Sequence, residues 1–553
     1  MPGLPINGGM YRRWFTRSLL SRYTALLCCL LMAAVGLWFT LRQAGAPLPL
    51  AVLAAGTLLS LVGLYDLVQP RRAVLRNYPV IGHIRYLVES IRPEIRQYLL
   101  EADDDQLPFS RAQRSLVYQR AKNEPSEKPF GTLGDVYRDG YEYIGHSLRP
   151  RPEAKPEELR VPVGGEQCRQ PYAASVLNIS ALSFGAMSAN AIRALNCGAQ
   201  RGGFAHDTGE GGISPYHREF GGDLIWELGS GYFGCRDARG RFDPQRFAEQ
   251  ALAAQVKMIE IKLSQGAKPG HGGILPGAKV TPEIAATRGV PVGVDCVSPA
   301  AHSAFDTPLG LLEFLATLRQ LSGGKPVGFK LCIGHAWEFM AIVKAMLATG
   351  IVPDFIVIDG KEGGTGAAPV EFTNHIGMPM REGLLFAHNA LVGAGLRPRL
   401  RLAASGKIVS AFDIACVLSL GADWANAARA FMFAVGCIQS QHCNTNRCPT
   451  GVATQDPLRQ RALVVADKAE RVRHFHRNTL KALAQILAAA GLSHPRDLRP
   501  HHLIRRVSGT RVQLFSQLHT FLQPGELLGG TTPHHFYAEA WHLARADSFD
   551  PAG

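Results

Sequence analysis

Eight short apolar runs between residues 170 and 430, each ending near Gly, Ser or Asp and each followed by a loop or helical stretch, predict an α/β chain built on a (β/α)8 TIM barrel. Two uncharged apolar stretches near the N-terminus add a transmembrane helical hairpin. The segments on either side of the barrel read as helical flanks, which completes the fold class.

The hairpin comes first in the chain. Thr24 to Leu41 and Ala46 to Leu64 each approach the ~20 apolar residues that cross a bilayer, and neither contains a charge. Arg12, Arg13, Arg17 and Arg22 precede the first run, Arg71, Arg72 and Arg76 follow the second, and Arg42 alone lies between them. This asymmetry places both ends of the hairpin, and the catalytic domain with them, on the cytoplasmic side of an inner or cell membrane. A cleaved signal peptide fits less well, because the first run leads into a second span with no small-residue cleavage site. In that reducing compartment the 11 cysteines read as cluster ligands and core thiols rather than disulfides. The formal charge of +14 does not indicate nucleic acid, since the arginines are scattered and not interleaved with aromatics.

Four segments follow: 1–70 with the two spans, 71–169 as a helical connector broken by Pro93, Pro108, Pro125 and Pro129, 170–458 as the barrel, and 459–553 as a helical extension. Asp103, Asp104 and Asp105 read as a solvated turn. The candidate strands are Ser175 to Ser183, Phe204 to Thr208, Met258 to Leu263, Pro291 to Val297, Val327 to Cys332, Phe355 to Asp359, Leu400 to Ala404 and Trp424 to Ala428. Loops rich in Gly, Ser and Lys follow the first, second, third, sixth and seventh of these, where a barrel carries its functional groups. A doubly wound sheet would want G-x-G-x-x-G after its first strand, and none is there.

The loops suggest a phosphate cradle. Gly363, Gly364 and Gly366 allow backbone amides to approach a planar ligand, and Ser405, Gly406 and Lys407 stand one strand further on. With Ser183 after the first strand and Ala428 and Arg429 at the eighth, these residues form a candidate flavin mononucleotide (FMN) site. Lys330 ends an apolar strand and should point into the barrel mouth, where the anionic side of a reduced flavin would be its partner. Lys262, Gln265 and Lys268 on the strand and loop before Pro269, with Glu210 and Arg288, are candidate catalytic groups for an acidic substrate. Cys437, Cys443 and Cys448 fall within twelve residues, a spacing that lets three thiolates converge on an iron-sulfur centre. Three ligands point to a three-iron cluster and to electron transfer.

These motifs resemble the FMN-binding synthase domain of glutamate synthases. The likeness is carried by Leu-Ser-Phe-Gly-Ala-Met-Ser (182–188), Thr-Gly-Glu-Gly-Gly (208–212), Ile-Lys-Leu-Ser-Gln-Gly-Ala-Lys-Pro-Gly (261–270), Leu-Pro-Gly-Ala-Lys-Val (275–280), Gly-Gly-Thr-Gly-Ala (363–367) and Cys-Pro-Thr-Gly-Val-Ala-Thr-Gln (448–455). The resemblance implies FMN and a 3Fe-4S cluster as cofactors, with Cys437, Cys443 and Cys448 as the cluster ligands. It also implies that 2-oxoglutarate and ammonia form 2-iminoglutarate, which is then reduced to glutamate. Glu210, Lys262, Gln265, Lys268 and Arg288 fall where the family's substrate and gating residues fall.

Departures limit the carry-over. The family's glutamine amidotransferase and glycine-repeat domains are missing, so hydrolysis of glutamine is not expected, and with no NAD(P) module the electrons must come from a separate reductase, ferredoxin or quinone-linked donor. His271 replaces an acidic residue and Ile274 replaces a substrate-contacting glutamine. A membrane-tethered FMN/iron-sulfur oxidoreductase acting on another oxo or imino acid, and a non-catalytic electron-transfer subunit, therefore stand as alternatives.

Overall fold

The computed structural model describes residues 8–43, 45–103, 105, 108–530 and 532–553, with side chains from residue 22 onward. The Met1-Pro2 start, Asp104 of the acidic turn, and the side chains of Arg12, Arg13 and Arg17 lie outside the described residues. The chain divides into two compact units, one ending at Asp103 and one comprising the rest.

In the first unit, α1 (Gly8–Arg42) packs against α2 (Pro47–Val68). The apolar windows Arg22–Arg42 and Pro47–Val68 have mean hydropathies of 2.2 and 2.0, long and apolar enough to cross a membrane. Glycine brings the two backbones together: a Cβ on Gly36 would lie 2.5 Å from the Leu53 nitrogen, and one on Gly56 2.5 Å from the Ala33 nitrogen. The second helix outruns the apolar stretch and takes in Asp66, whose buried carboxylate accepts the Val80 amide at 3.0 Å and meets His83 Nε2 at 2.9 Å.

The expected helical connector is only partly helical. Helices occupy Ala73–Asn77, Gly82–Ile95 and Arg111–Lys122, after which Pro125, Pro129, Gly131, Gly134 and Gly140 prevent a continuous apolar face. The strand Glu142–Ile144 then pairs antiparallel with Leu503–Arg505 near the C-terminus. A hairpin of Arg160–Val163 with Tyr172–Ser175 lies beneath the barrel, where Gly165 donates to Asp354 Oδ1 at 2.8 Å and Arg169 donates to the Gly324 carbonyl at 2.8 Å.

Eight parallel strands close the barrel: β1 (Leu177–Ile179), β2 (His206–Asp207), β3 (Leu224–Leu228), β4 (Val256–Lys262), β5 (Val327–Leu331), β6 (Phe355–Asp359), β7 (Arg401–Ser405) and β8 (Trp424–Ala427). Closure is explicit in the register, with Ala425 of β8 opposite Leu177 of β1. All five positions of β3 and of β5 are buried, as expected of strands covered on both faces. Trp226 stacks on Phe247 with ring centroids 5.1 Å apart, fixing β3 against the following helix.

One strand assignment needs correction. Pro291 to Val297 is not a barrel strand: Gly293, at φ 74, bends it, and Cys296–Val297 pairs antiparallel with Ile274–Leu275 outside the barrel. Its place is taken by Leu224–Leu228, which the sequence reading passes over because Glu227 interrupts the apolar run. The Ser264 loop therefore follows the fourth strand, while the Gly363 and Ser405 loops keep the sixth and seventh places.

The C-terminal segment is also not wholly helical. Val465–Ala489 packs on Ala189–Gly202, where a Cβ on Gly198 would lie 2.5 Å from Val472. Leu503–Ser508 and Arg511–Leu514 then form a hairpin around Gly509, hidden in the sequence by Arg505 and Arg506 within the run.

Candidate functional site

The strands' C-terminal ends surround a cavity with about 530 Å³ of empty space, including its opening to solvent. Lys330, Gln265, Gly363, Gly364, Ser405, Gly406, Lys407, Ala428 and Arg429, named above from sequence, all line it. Ser183 and Gly366 are not among its lining residues. Strand β1 ends at Ile179, so Ser180 and Ala181 reach the cavity instead. Ser183 lies further along, against Gly209 and Gly211, in a loop whose Phe184 carbonyl accepts from Arg288 at 3.1 Å.

Two cations mark one end of the cavity. Burial and the neighbouring Arg429 hold the Lys407 ammonium below the ordinary lysine range, and burial brings Arg429 down to about 10 against the pull of Asp359 and Glu362. Among the described residues Lys407 forms no ion pair. Arg429 donates to the Glu362 carbonyl and lies 4.7 Å from the ring centroid of Phe109, which lines the same cavity. A half-buried lysine and arginine, neither in a salt bridge among the described residues, suit a phosphate. Gly364 makes room for that arginine, since a Cβ there would lie 2.9 Å from Arg429 Cδ.

Lys330 differs from expectation. Its ammonium already has protein partners, binding Glu227 Oε2 and standing 3.2 Å from Glu260 Oε1. Burial alone would lower its pKa, and the carboxylates of Glu227, Glu260 and Asp207 reverse this and raise it well above the usual value. The sequence reading missed all three acids because each lies within an apolar strand.

Beside the cavity is a second polar cluster. Gly209, at φ 62, turns the chain out of β2 and brings Glu210 to Lys262, whose Nζ donates to Glu210 Oε1 at 2.8 Å. Ser298 donates to the other oxygen at 3.3 Å. Burial would raise the Glu210 carboxyl, but Lys262 first, then Arg288 and Lys268, hold it down at about 2. Lys268 is buried, and burial together with Lys262 lowers its pKa. Arg288 is no free carboxylate clamp here: it donates to the Phe184 carbonyl, lies 5.3 Å from the Phe233 centroid, and keeps only Nε unpartnered. Gln265 lines the cavity, and the adjacent Gly266 amide donates to Asp359 Oδ2 at 2.8 Å.

Cys437, Cys443 and Cys448 lie in one loop of free thiols packed against the core. Gln439, Gln441 and Asn446 adopt φ of 59, 58 and 61, left-handed turns that fold the loop on itself. The Gln439 amide points to Cys437 Sγ at 3.5 Å. Burial would raise Cys448, yet the amides of Ala453, Thr450 and Val452 and the Thr450 hydroxyl lower it. Lys279 Nζ, a residue the sequence reading does not single out, donates to the Cys443 carbonyl at 3.3 Å and the Ala186 carbonyl at 3.2 Å. N–H groups aimed at sulfur and a buried cation beside the loop fit an anionic thiolate-bound cluster. The loop also reaches the cavity: Gln439 Oε1 accepts the Phe109 amide at 3.2 Å, and Gln439 Nε2 donates to the Phe109 carbonyl at 3.3 Å.

Residues 146–493 match the family described as a conserved region in glutamate synthase. The chain is 36% identical over 496 residues to the glutamate synthase large subunit-like protein YerD of Bacillus subtilis, covering 82% of this chain and 94% of that one. It is 34% identical over 321 residues to the archaeal-type glutamate synthase (NADPH) of Thermotoga neapolitana, covering 58% of this chain and 60% of that protein. A lactate oxidase structure from Pediococcus acidilactici aligns at 13% identity with a TM-score of 0.40, over 75% of this chain and 93% of that one. At that score the barrel assignment rests on the strand register itself.

Proposed function

Because the chain belongs to the glutamate synthase family, we propose that it is an FMN-dependent oxidoreductase that reduces 2-iminoglutarate, formed from 2-oxoglutarate and ammonia, to glutamate. Cys437, Cys443 and Cys448 would hold a 3Fe-4S cluster, which would supply one-electron transfer. The observation that carries this reading is the cavity whose half-buried Lys407 and Arg429 form no salt bridge among the described residues, set beside the Glu210–Lys262–Lys268 cluster.

FMN, when bound, supplies hydride chemistry. Lys407 and Arg429 would hold its phosphate, and the backbone at Gly363, Gly364 and Gly406 would lie against it. Lys268 and Arg288 supply positive charge for a dicarboxylate, and Glu210, ionised through Lys262, fixes the direction in which that ammonium points. At neutral pH Glu210 is ionised and has no proton to give, and its depressed carboxyl makes it a charge that positions Lys262 rather than a proton acceptor. The apolar hairpin anchors the enzyme to the cytoplasmic face of a membrane, where a separate donor supplies electrons.

A second reading, reduction of another oxo or imino acid, draws support from the loop over Glu210. A Cβ on Gly273 would run into Glu210 Oε1, so this loop presses on the site, and it is flanked by His271 and Ile274. Ile274 is 44% exposed and offers no hydrogen bond where a dicarboxylate would want one.

The test is to reduce the anaerobically purified protein and follow reoxidation of its flavin absorbance with 2-oxoglutarate plus ammonia, against a panel of other oxo acids. Reoxidation that requires 2-oxoglutarate and ammonia together supports the first reading. Reoxidation by a different acid supports the second. Reoxidation by none of them overturns both.

A further inference from the structure

Below the cavity, Asp207 on β2, Glu227 on β3 and Glu260 on β4 each place a carboxylate oxygen within 4.8 Å of the others. All three are buried, none more than 2% exposed. Such a trio would suit a divalent cation, but the Lys330 ammonium already binds Glu227 and stands beside Glu260. The hydrogen bonds then leave a remainder. Glu227 Oε2 accepts from Lys330, and Asp207 Oδ1 accepts the Gly209 amide at 2.9 Å. Asp207 Oδ2 and both oxygens of Glu260 have no donor among the described residues; Lys330 Nζ is near Glu260 but off the line of a hydrogen bond.

Two acids with oxygens within 4.8 Å of one another, each with a buried oxygen that lacks a donor, are relieved if one keeps a proton, because this removes one charge and supplies an O–H donor beside the remaining carboxylate. We propose that Asp207 and Glu260 form an acid–carboxylate pair that retains one proton at neutral pH, so that this pair with Glu227 and Lys330 carries one net negative charge rather than two. Fully ionised, three buried carboxylates would face one lysine, a balance the barrel interior could meet only at a large desolvation cost. The surrounding groups agree in direction. Burial first, then Glu227, raises Asp207 to about 7 against Lys330, the Gly209 amide and Lys262, and burial raises Glu260 well above its usual value despite Lys330. Because Lys330 lines the cavity, this retained proton sets the charge presented to whatever binds above it.

Infrared spectroscopy of the full-length protein tests the pair directly. The wild type should show, at pH 7, the carbonyl stretch of a protonated buried carboxylic acid that shifts in D2O. Asp207→Asn and Glu260→Gln should each abolish the band, because the new amide becomes the donor to the remaining carboxylate; Glu227→Gln should keep it. The second readout rests on the flavin reading: each single Asp207 or Glu260 substitution should leave the flavin midpoint potential unchanged, whereas Glu227→Gln and the Asp207→Asn/Glu260→Gln double variant should raise it. Absence of the acid band from the wild type at pH 7, a potential shift in either single variant equal to that of Glu227→Gln, or a stoichiometric divalent metal would overturn the proposal. The band belongs to the polypeptide, so a protein that lacks flavin but shows the band refutes the cofactor reading alone.

Discussion

Lys262→Met removes the ion-pair partner of the largely buried Glu210, and the size of the effect follows from the site. Across 2.8 Å, at an effective dielectric of about 20, the attraction between the two groups is ~6 kcal/mol before desolvation. Burial opposes this, and the net result is a carboxyl brought from 4.5 to about 2, which favours its ionised form by about 3 kcal/mol. Removing one partner of such a pair typically costs ~3–5 kcal/mol. Lys268, Arg288 and Ser298 remain near Glu210, so about 3 kcal/mol is expected at pH 7. The sign with pH follows from the depressed carboxyl: its contribution is fully present above the unfolded value and is lost as pH falls through about 2. Denaturant unfolding of wild type, Lys262→Met, Glu210→Gln and the double variant at pH 7, with the acid limb followed for wild type and Lys262→Met, gives both the coupling energy and the titration. The double variant should recover most of the loss. A coupling below ~0.5 kcal/mol, or acid limbs that superimpose, would refute this account of the pair.

Further outcomes follow from other parts of the site. Lys407→Ala and Arg429→Ala should each weaken flavin retention by roughly tenfold or more, as expected for a charge-assisted bond to phosphate, read as flavin per polypeptide after dialysis. Cys443→Ser should remove the iron and its electron paramagnetic resonance signal while leaving flavin bound, because the phosphate cations sit in the loop after β7 and at the start of the helix after β8. Phe109→Ala should lower stability by ~3–5 kcal/mol and loosen flavin retention, since this buried ring lines the cavity and packs edge-on against Phe433. Deleting residues 1–70 should move the protein from the membrane fraction to the soluble fraction with its flavin intact; continued sedimentation with membranes would contradict the hairpin's role as anchor.

Local spacing explains which features are legible in the sequence. Three cysteines in one loop and glycines after strand ends identify themselves, because their ligands need only a few residues of backbone to converge. Seven of the eight barrel strands are recognisable as apolar runs. The exception, β3, carries Glu227, and an acid inside an apolar run looks like a break until its partner Lys330, two strands away on β5, is seen. Asp207 and Glu260 lie in strands that are recognised, but a single acid in an apolar run does not announce its partner, so the true environment of Lys330 stays hidden. Phe109 is invisible as a cavity residue because it precedes the barrel by about 70 residues and gains its place through distant partners, Gln439 of the cysteine loop on its backbone and Phe433 on its ring. Ser183 shows the opposite failure, since a strand read past its actual end at Ile179 puts the wrong serine at the cavity.

The most direct measurement is the flavin and iron content of the full-length protein purified without oxygen, together with its electron paramagnetic resonance spectrum after oxidation. One FMN and three iron atoms per chain, with the signal of an oxidised three-iron cluster that disappears on reduction, are expected. A colourless, iron-free polypeptide that gains neither group on reconstitution would contradict the account.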